Sequence, residues 1–206
     1  MLRELIIQHK RSSLAVILIS ACAGVTLYVG NMFWCSYVAN QGYFSPSQAN
    51  VIASLDMGIE FIALPLMAIL AYRIGIRKVM AAGLLITAVG AGLNFYLAEQ
   101  GSVMTSMLTM TVFALGIAIF EAPMFKFLFD FFPARIRCTG IALAWAVGGV
   151  FSSVSPVLAQ RISDHYGWLG GVLCILLVCT CALLALSIQA RLPKTQSTMA
   201  IDIASP

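Results

Sequence analysis

Ala49 to Tyr72 reads ANVIASLDMGIEFIALPLMAILAY, and the class of fold follows from what such a run can do. Apart from Asp56 and Glu60 it carries no charge, and its apolar residues point to every side of a helical wheel. A helix needs about 20 mostly apolar residues to cross about 30 Å of hydrocarbon. A membrane-spanning strand would instead show segments of roughly 10 residues with alternating polarity. The stretch is too long and too evenly apolar for a strand, and a transmembrane helix satisfies its backbone internally.

The same kind of run recurs on both sides of it. Spans are predicted near Ser12 to Val38, Ala49 to Tyr72, Val79 to Ala98, Val103 to Leu128, Thr139 to Gln160 and Trp168 to Gln189. The sequence of 206 residues is 61% hydrophobic and 10% charged, with a mean hydropathy of +0.95, far more apolar than a soluble domain. The reading is an all-α membrane protein with six transmembrane helices, in which residues 1–192 form one membrane domain and 193–206 a polar cytoplasmic tail. The loops, such as Gln41 to Ser47 and Glu99 to Ser102, are too short to hold a separate domain.

Lys and Arg are retained on the cytoplasmic side of short loops. Arg3, Lys10, Arg11, Arg73, Arg77, Lys78, Lys126, Arg135, Arg137, Arg191 and Lys194 sort to one side and Arg161 alone to the other, which predicts both termini in the cytoplasm. The net charge of +4 is thereby a topology signal, and no nucleic-acid partner is called for.

The six cysteines are Cys22, Cys35, Cys138, Cys174, Cys179 and Cys181, and no C-x-x-C pair occurs. Within helices in lipid they read as small apolar fillers, so neither a metal nor a cofactor is expected. Ile19-Ser20-Ala21-Cys22 has the look of a lipoprotein cleavage box, but the apolar core before it, Leu14 to Ile19, is shorter than a signal peptide needs. An enzyme is not expected either: G-x-S-G, G-x-G-D and H-E-x-x-H are all missing, and His9 and His165 fall outside the predicted helices.

Helices in lipid associate through small residues that let backbones approach. Gly140, Ala144, Gly148 and Ser152 repeat every four residues on the fifth predicted helix, and Gly83, Thr87 and Ala91 do so on the third. Pro65, Pro123 and Pro156 each remove a backbone donor inside the second, fourth and fifth. Trp34, near one end of the first, reads as an interfacial aromatic.

The chemistry lies with Asp56, Glu60 and Glu121, because a carboxylate near the bilayer centre costs about 2.5 kcal/mol or more. Asp56 and Glu60 are four apart and share a helix face, while Glu60 and Glu121 both count to mid-bilayer. A carboxyl in low dielectric can take up and give back a proton near neutral pH, as a proton-coupled carrier requires. The structural alternative is that a buried acid partners Lys126 or Asn31, or is held protonated and hydrogen-bonded. Lys126 reads first as an anchor, with Asp130 within pairing reach four residues on. Tyr28, Asn31 and Cys35, at spacings of three and four, form a weakly polar face on the first helix.

Three stretches carry a resemblance. Phe132-Pro133-Ala134-Arg135-Ile136-Arg137-Cys138-Thr139-Gly140, Ala122-Pro123-Met124 and the loop Arg73-Ile74-Gly75-Ile76-Arg77-Lys78 together resemble the major facilitator superfamily, in particular its metabolite:proton symporter branch of proline/betaine and dicarboxylate carriers. Pro133, Arg135, Arg137 and Gly140 match that branch's junction between its tenth and eleventh helices. Arg73, Gly75, Arg77 and Lys78 match the cytoplasmic loop motif, although Tyr72 stands for its acid, Ala68 for its glycine and Ile76 for a base. The residues Arg3 to Ser13 are similar to the linker entering the seventh helix.

The resemblance implies the C-terminal half of such a carrier, a 3+3 inverted repeat, with Asn31 and Glu121 on helices that line the cavity. It implies secondary transport of a small organic solute with protons in a bacterial inner membrane, the solute being a zwitterion or small organic acid. The partners implied are the lipid bilayer and an N-terminal six-helix half or a second copy. A non-transporting fragment of a split or decayed gene, or a membrane interaction subunit, is the alternative. The acids themselves suit protons and cationic or zwitterionic solutes, and no Arg lies inside the predicted helices for an anion.

Overall fold

In the computed structural model, residues 10–132 and 135–190 are described. Arg3 and His9, the Pro133-Ala134 step of the junction motif and the tail from Arg191 onward lie outside the described residues. Six helices in the described residues are long and apolar enough to cross a membrane. We number them α1 (Ser12–Asn40), α2 (Pro46–Ile74), α3 (Ile76–Ala98), α4 (Val103–Phe129), α5 (Arg137–Tyr166) and α6 (Leu169–Ser187).

Local chemistry sets their ends. α2 begins at Pro46, ahead of Ala49, because Ser45 builds a full capping box: its hydroxyl accepts from the Gln48 amide, and the Gln48 side chain accepts from the Ser45 N–H. Proline at the first helical position loses no hydrogen bond. At the other end Gly75 takes φ 114°, a backbone that side chains avoid, and turns the chain directly into α3. α5 runs past Gln160 to Tyr166 and stops at Gly167, with φ 60°.

Two spans are irregular. The helix that carries α1 is α-helical from Lys10, two residues before the span, to Leu27, widens into a π-helical turn over Tyr28–Phe33 and resumes as Trp34–Asn40. α4 is α-helical over Val103–Glu121, breaks at Ala122–Pro123 and continues as Met124–Phe129. Pro65 and Pro156, by contrast, sit inside helices that continue through them.

The packing obeys an inverted twofold relation. α1 packs along α5, as α4 packs along α2; α1 packs on α6, as α4 packs on α3; and α3 meets α6. Exchanging α1, α2 and α3 with α4, α5 and α6 reproduces this pattern, and the exchanged helices run in opposite directions, as in a carrier half built from an inverted three-helix repeat. α2 and α5, equivalent under the exchange, each bury 22% of their most apolar window, against 44% or more in the other four. They are the outlying pair, with Phe61 and Tyr72 of α2 over 80% exposed, an arrangement that suits lipid or another helix.

Small residues make the closest contacts. Gly83, Thr87 and Ala91 are buried on α3, as are Gly140, Ala144, Gly148 and Ser152 on α5. A methyl group placed on Gly83 would stand 2.5 Å from the Phe120 backbone nitrogen of α4, and one on Gly148 2.8 Å from the Ala21 backbone nitrogen of α1. Burying apolar surface against apolar tails gains little, so this backbone proximity is what holds the bundle. Trp34, read from sequence as an interfacial aromatic, is instead completely buried, its ring 6.3 Å from that of Phe44. The loop after α1 folds back over the helix end and covers it.

Candidate functional site

The acids gather where α1, α2 and α4 meet. Asn31 lies in the π turn of α1, nine residues before its end, and Asp56 lies ten residues after the start of α2. At 1.5 Å per residue both count about 14 Å from the same end of the bundle. There the Asn31 side-chain amide donates to Asp56 Oδ2 at 2.7 Å. Both residues are buried, Asp56 to 2% exposure, and Asp56 Oδ1 has no hydrogen-bond partner. One turn further along α1, Cys35 Sγ contacts the Ala49 carbonyl of α2 at 3.6 Å. The top of α2 is therefore tied to α1 at two levels.

The π turn is held from the other side as well. Gly30 lies so close to α4 that a β-carbon there would enter the ring of Phe113, which is fully buried. The π turn thus presents Gly30 to Phe113 of α4 and Asn31 to Asp56 of α2, and such bulges recur at functional sites.

Glu60 follows Asp56 by one turn and is half-buried. Glu121 is the last residue of the first helical part of α4 and is half-buried too. Counted along the helices from one end of the bundle, Asp56, Glu60 and Glu121 stand at about 15, 21 and 27 Å, a staircase across the middle of the span. Asp56, which counts nearest the surface of the three, proves the most deeply enclosed.

The other candidates fall elsewhere. Tyr28 is half-buried and makes no hydrogen bond to the acids among the described residues. Spacing alone grouped it with Asn31 and Cys35, which both contact α2. Lys126 does not reach Glu121; its ammonium pairs with Asp130 at 3.5 Å on an exposed surface. Arg73, Gly75, Arg77 and Lys78 are exposed at the junction of α2 and α3. Arg135 is exposed, while Arg137 donates from Nε to the Phe132 carbonyl at 3.2 Å and stands 6.0 Å from the Phe129 ring centre. Gly140 is buried on α5. These junction and loop residues form one basic end of the bundle, distant from the acids.

Sequence reasoning missed the placement of two thiols. Cys22 of α1 and Cys179 of α6 are both buried, on helices that pack against one another. Their wide separation in sequence gave no signal. Among the described residues no group of three acidic, thiol or imidazole side chains converges as the ligands of a metal ion would.

Residues 14–200 match the family model described as Major Facilitator Superfamily. The chain is also 27% identical over 190 residues to the sialic acid transporter NanX of Escherichia coli (strain K12), an alignment that covers 90% of this chain and 45% of that protein. The chain thus spans less than half the length of the curated relative it matches.

Proposed function

The chain belongs to the major facilitator superfamily, and from that premise we propose that it serves as the C-terminal six-helix half of a carrier for a small organic solute, coupled to protons. Membership makes it an integral membrane protein and points to transport rather than catalysis. The observation that carries the proton coupling is the staircase Asp56, Glu60 and Glu121 in mid-span, joined to the π turn of α1 by the Asn31–Asp56 hydrogen bond. Acids held inside a membrane bundle commonly mark proton or substrate paths. A carboxyl that binds and releases a proton alters the hydrogen bond offered to Asn31, and so links protonation to the packing of α1 on α2.

In this reading the basic end faces the cytoplasm of a bacterial inner membrane, since Lys and Arg accumulate there. The second half of the site comes from an N-terminal six-helix half or from a second copy, docked along the outlying α2 and α5. The proline/betaine and dicarboxylate branch supplies candidate solutes, and the NanX relative adds sialic acid.

The test is uptake of proline, glycine betaine, a dicarboxylate and sialic acid into membrane vesicles carrying the chain, alone and with a co-expressed N-terminal half. A pH-sensitive dye reports proton movement. Solute-dependent proton entry that Glu121→Gln abolishes supports the reading. Uptake that Glu121→Gln leaves unchanged removes that residue from the mechanism, and no uptake in either assembly favours a non-transporting interaction subunit.

A further inference from the structure

Where the last part of α4, Met124–Phe129, meets the start of α5, cations and aromatic rings form one column. Arg137 opens α5 and stands 6.0 Å from the ring centre of Phe129. One turn back along α4, Phe125 stacks on Trp145 of α5, with ring centres 5.4 Å apart and planes 29° from parallel. Phe125 and Phe129 are four residues apart, and Arg137 and Trp145 eight, so each pair shares one face of its helix. At 1.5 Å per residue Trp145 lies about 12 Å deeper in the span than Arg137. One leaflet contributes roughly 15 Å of hydrocarbon, half of a core about 30 Å thick. The column is open to its surroundings: Phe125, Phe129 and Trp145 are 52%, 42% and 38% exposed.

Its head carries unbalanced charge. Between residues 122 and 160 the sequence holds three cations, Lys126, Arg135 and Arg137, against one acid, Asp130. Asp130 pairs with Lys126 at 3.5 Å on an exposed surface, a contact that holds either partner weakly. Arg135 is exposed. Arg137 commits Nε to the Phe132 carbonyl at 3.2 Å. That bond holds the guanidinium in place and leaves its two terminal nitrogens as the fork by which Arg takes a phosphate. Topology accounts for cations at this end of the bundle, but it asks nothing of the rings beneath them. An open aromatic strip of about one leaflet's depth, headed by net positive charge, has the outline of a lipid with an anionic headgroup.

We infer that the boundary between the last part of α4 and the start of α5 is a binding surface for one anionic phospholipid. Its phosphate lies on Arg137, with Arg135 and Lys126 beside it, and one acyl chain runs along Phe129, Phe125 and Trp145. A zwitterionic lipid offers the same phosphate but brings an ammonium group toward the three cations, so the surface discriminates by headgroup charge. The inference goes beyond the carrier reading and holds whether or not the chain transports a solute.

The experiment is quenching of tryptophan fluorescence in the full chain reconstituted into bilayers, with brominated acyl chains carried either on phosphatidylglycerol or on phosphatidylcholine as the minor lipid. The signal from Trp145 is the part that Trp145→Phe removes; Trp34 is completely buried, and Trp168 lies at the opposite end of the bundle, where α6 begins. Brominated phosphatidylglycerol should quench Trp145 with an apparent affinity about tenfold higher than brominated phosphatidylcholine, since each cation near the surface contributes about 1 kcal/mol toward an anionic lipid. Arg137→Gln should remove most of that preference and Arg137→Lys restore part of it. Arg135→Gln, at an exposed position, gives the same direction should Arg137→Gln fail to fold. Equal quenching by the two lipids, or a preference that neither glutamine variant reduces, overturns the inference. Displacement of brominated phosphatidylglycerol by soluble glycerol phosphate makes the cations a site for a free anion and overturns the lipid assignment as well.

Discussion

Substituting Gly83 with alanine tests how the bundle holds together. The added methyl would stand 2.5 Å from the Phe120 backbone nitrogen, 2.9 Å from its α-carbon and 3.0 Å from the Gly116 carbonyl. All three atoms belong to the backbone of α4, so no side-chain rotation relieves the clash. The two helices must part by about 0.9 Å to reach ordinary van der Waals separation. The reciprocal contact, where Gly116 approaches the Thr87 backbone nitrogen with the same closeness, opens with it. Overpacking of this kind costs about 1–3 kcal/mol. Gly58→Ala on α2 and Gly149→Ala on α5 are the controls, since a methyl at either meets no atom within 4 Å. There alanine should be neutral or stabilising by up to about 1 kcal/mol through its better helix propensity. Unfolding in dodecyl maltoside with a rising fraction of sodium dodecyl sulfate, followed by tryptophan fluorescence, measures the difference. Gly83→Ala should unfold at a clearly lower fraction than either control. If all three coincide, close backbone approach is not what stabilises this bundle.

Two further outcomes follow from the same geometry. Asn31→Ala leaves both Asp56 oxygens buried without a partner and should destabilise by about 1–3 kcal/mol in the same assay, with no change at all counting against the contact. Cys138 is exposed at the basic end while Cys22 and Cys179 are buried. In a variant retaining Cys138 as its only cysteine, a membrane-impermeant maleimide should label inverted vesicles and spare intact cells, and the reverse pattern would place the basic end outside.

The all-helical, six-span architecture was legible because lipid imposes it. A run such as Ala49 to Tyr72 has one way to satisfy its backbone, and periodic glycines such as Gly140 and Gly148 mark where helices touch. What spacing could not give was how the helices deviate from ideal geometry. Pro123 looks like Pro65 and Pro156 in sequence, yet α4 breaks at Pro123 while α2 and α5 continue through theirs. Whether a lost hydrogen bond is made up elsewhere depends on neighbours that one helix's sequence does not specify. The same limit left open which buried acid Asn31 would partner, since the bond to Asp56 requires two spans to be set at one depth, and it hid the burial of Trp34, which depends on Phe44 folding back from the loop. In each case the side chain was visible and its surroundings were not.

The π turn at Tyr28–Phe33 has a consequence for how related chains line up with this one. It winds one residue more into the helix than an α-turn would, so the parts of α1 before and after it are out of phase. Hydrophobic periodicity measured across it mixes two different faces. A relative whose corresponding span is plain α-helix would align here only with a single-residue gap inside a helix, a place where gaps are ordinarily penalised. An ungapped alignment would then shift every position after the turn and set a neighbour of Trp34 against its true equivalent.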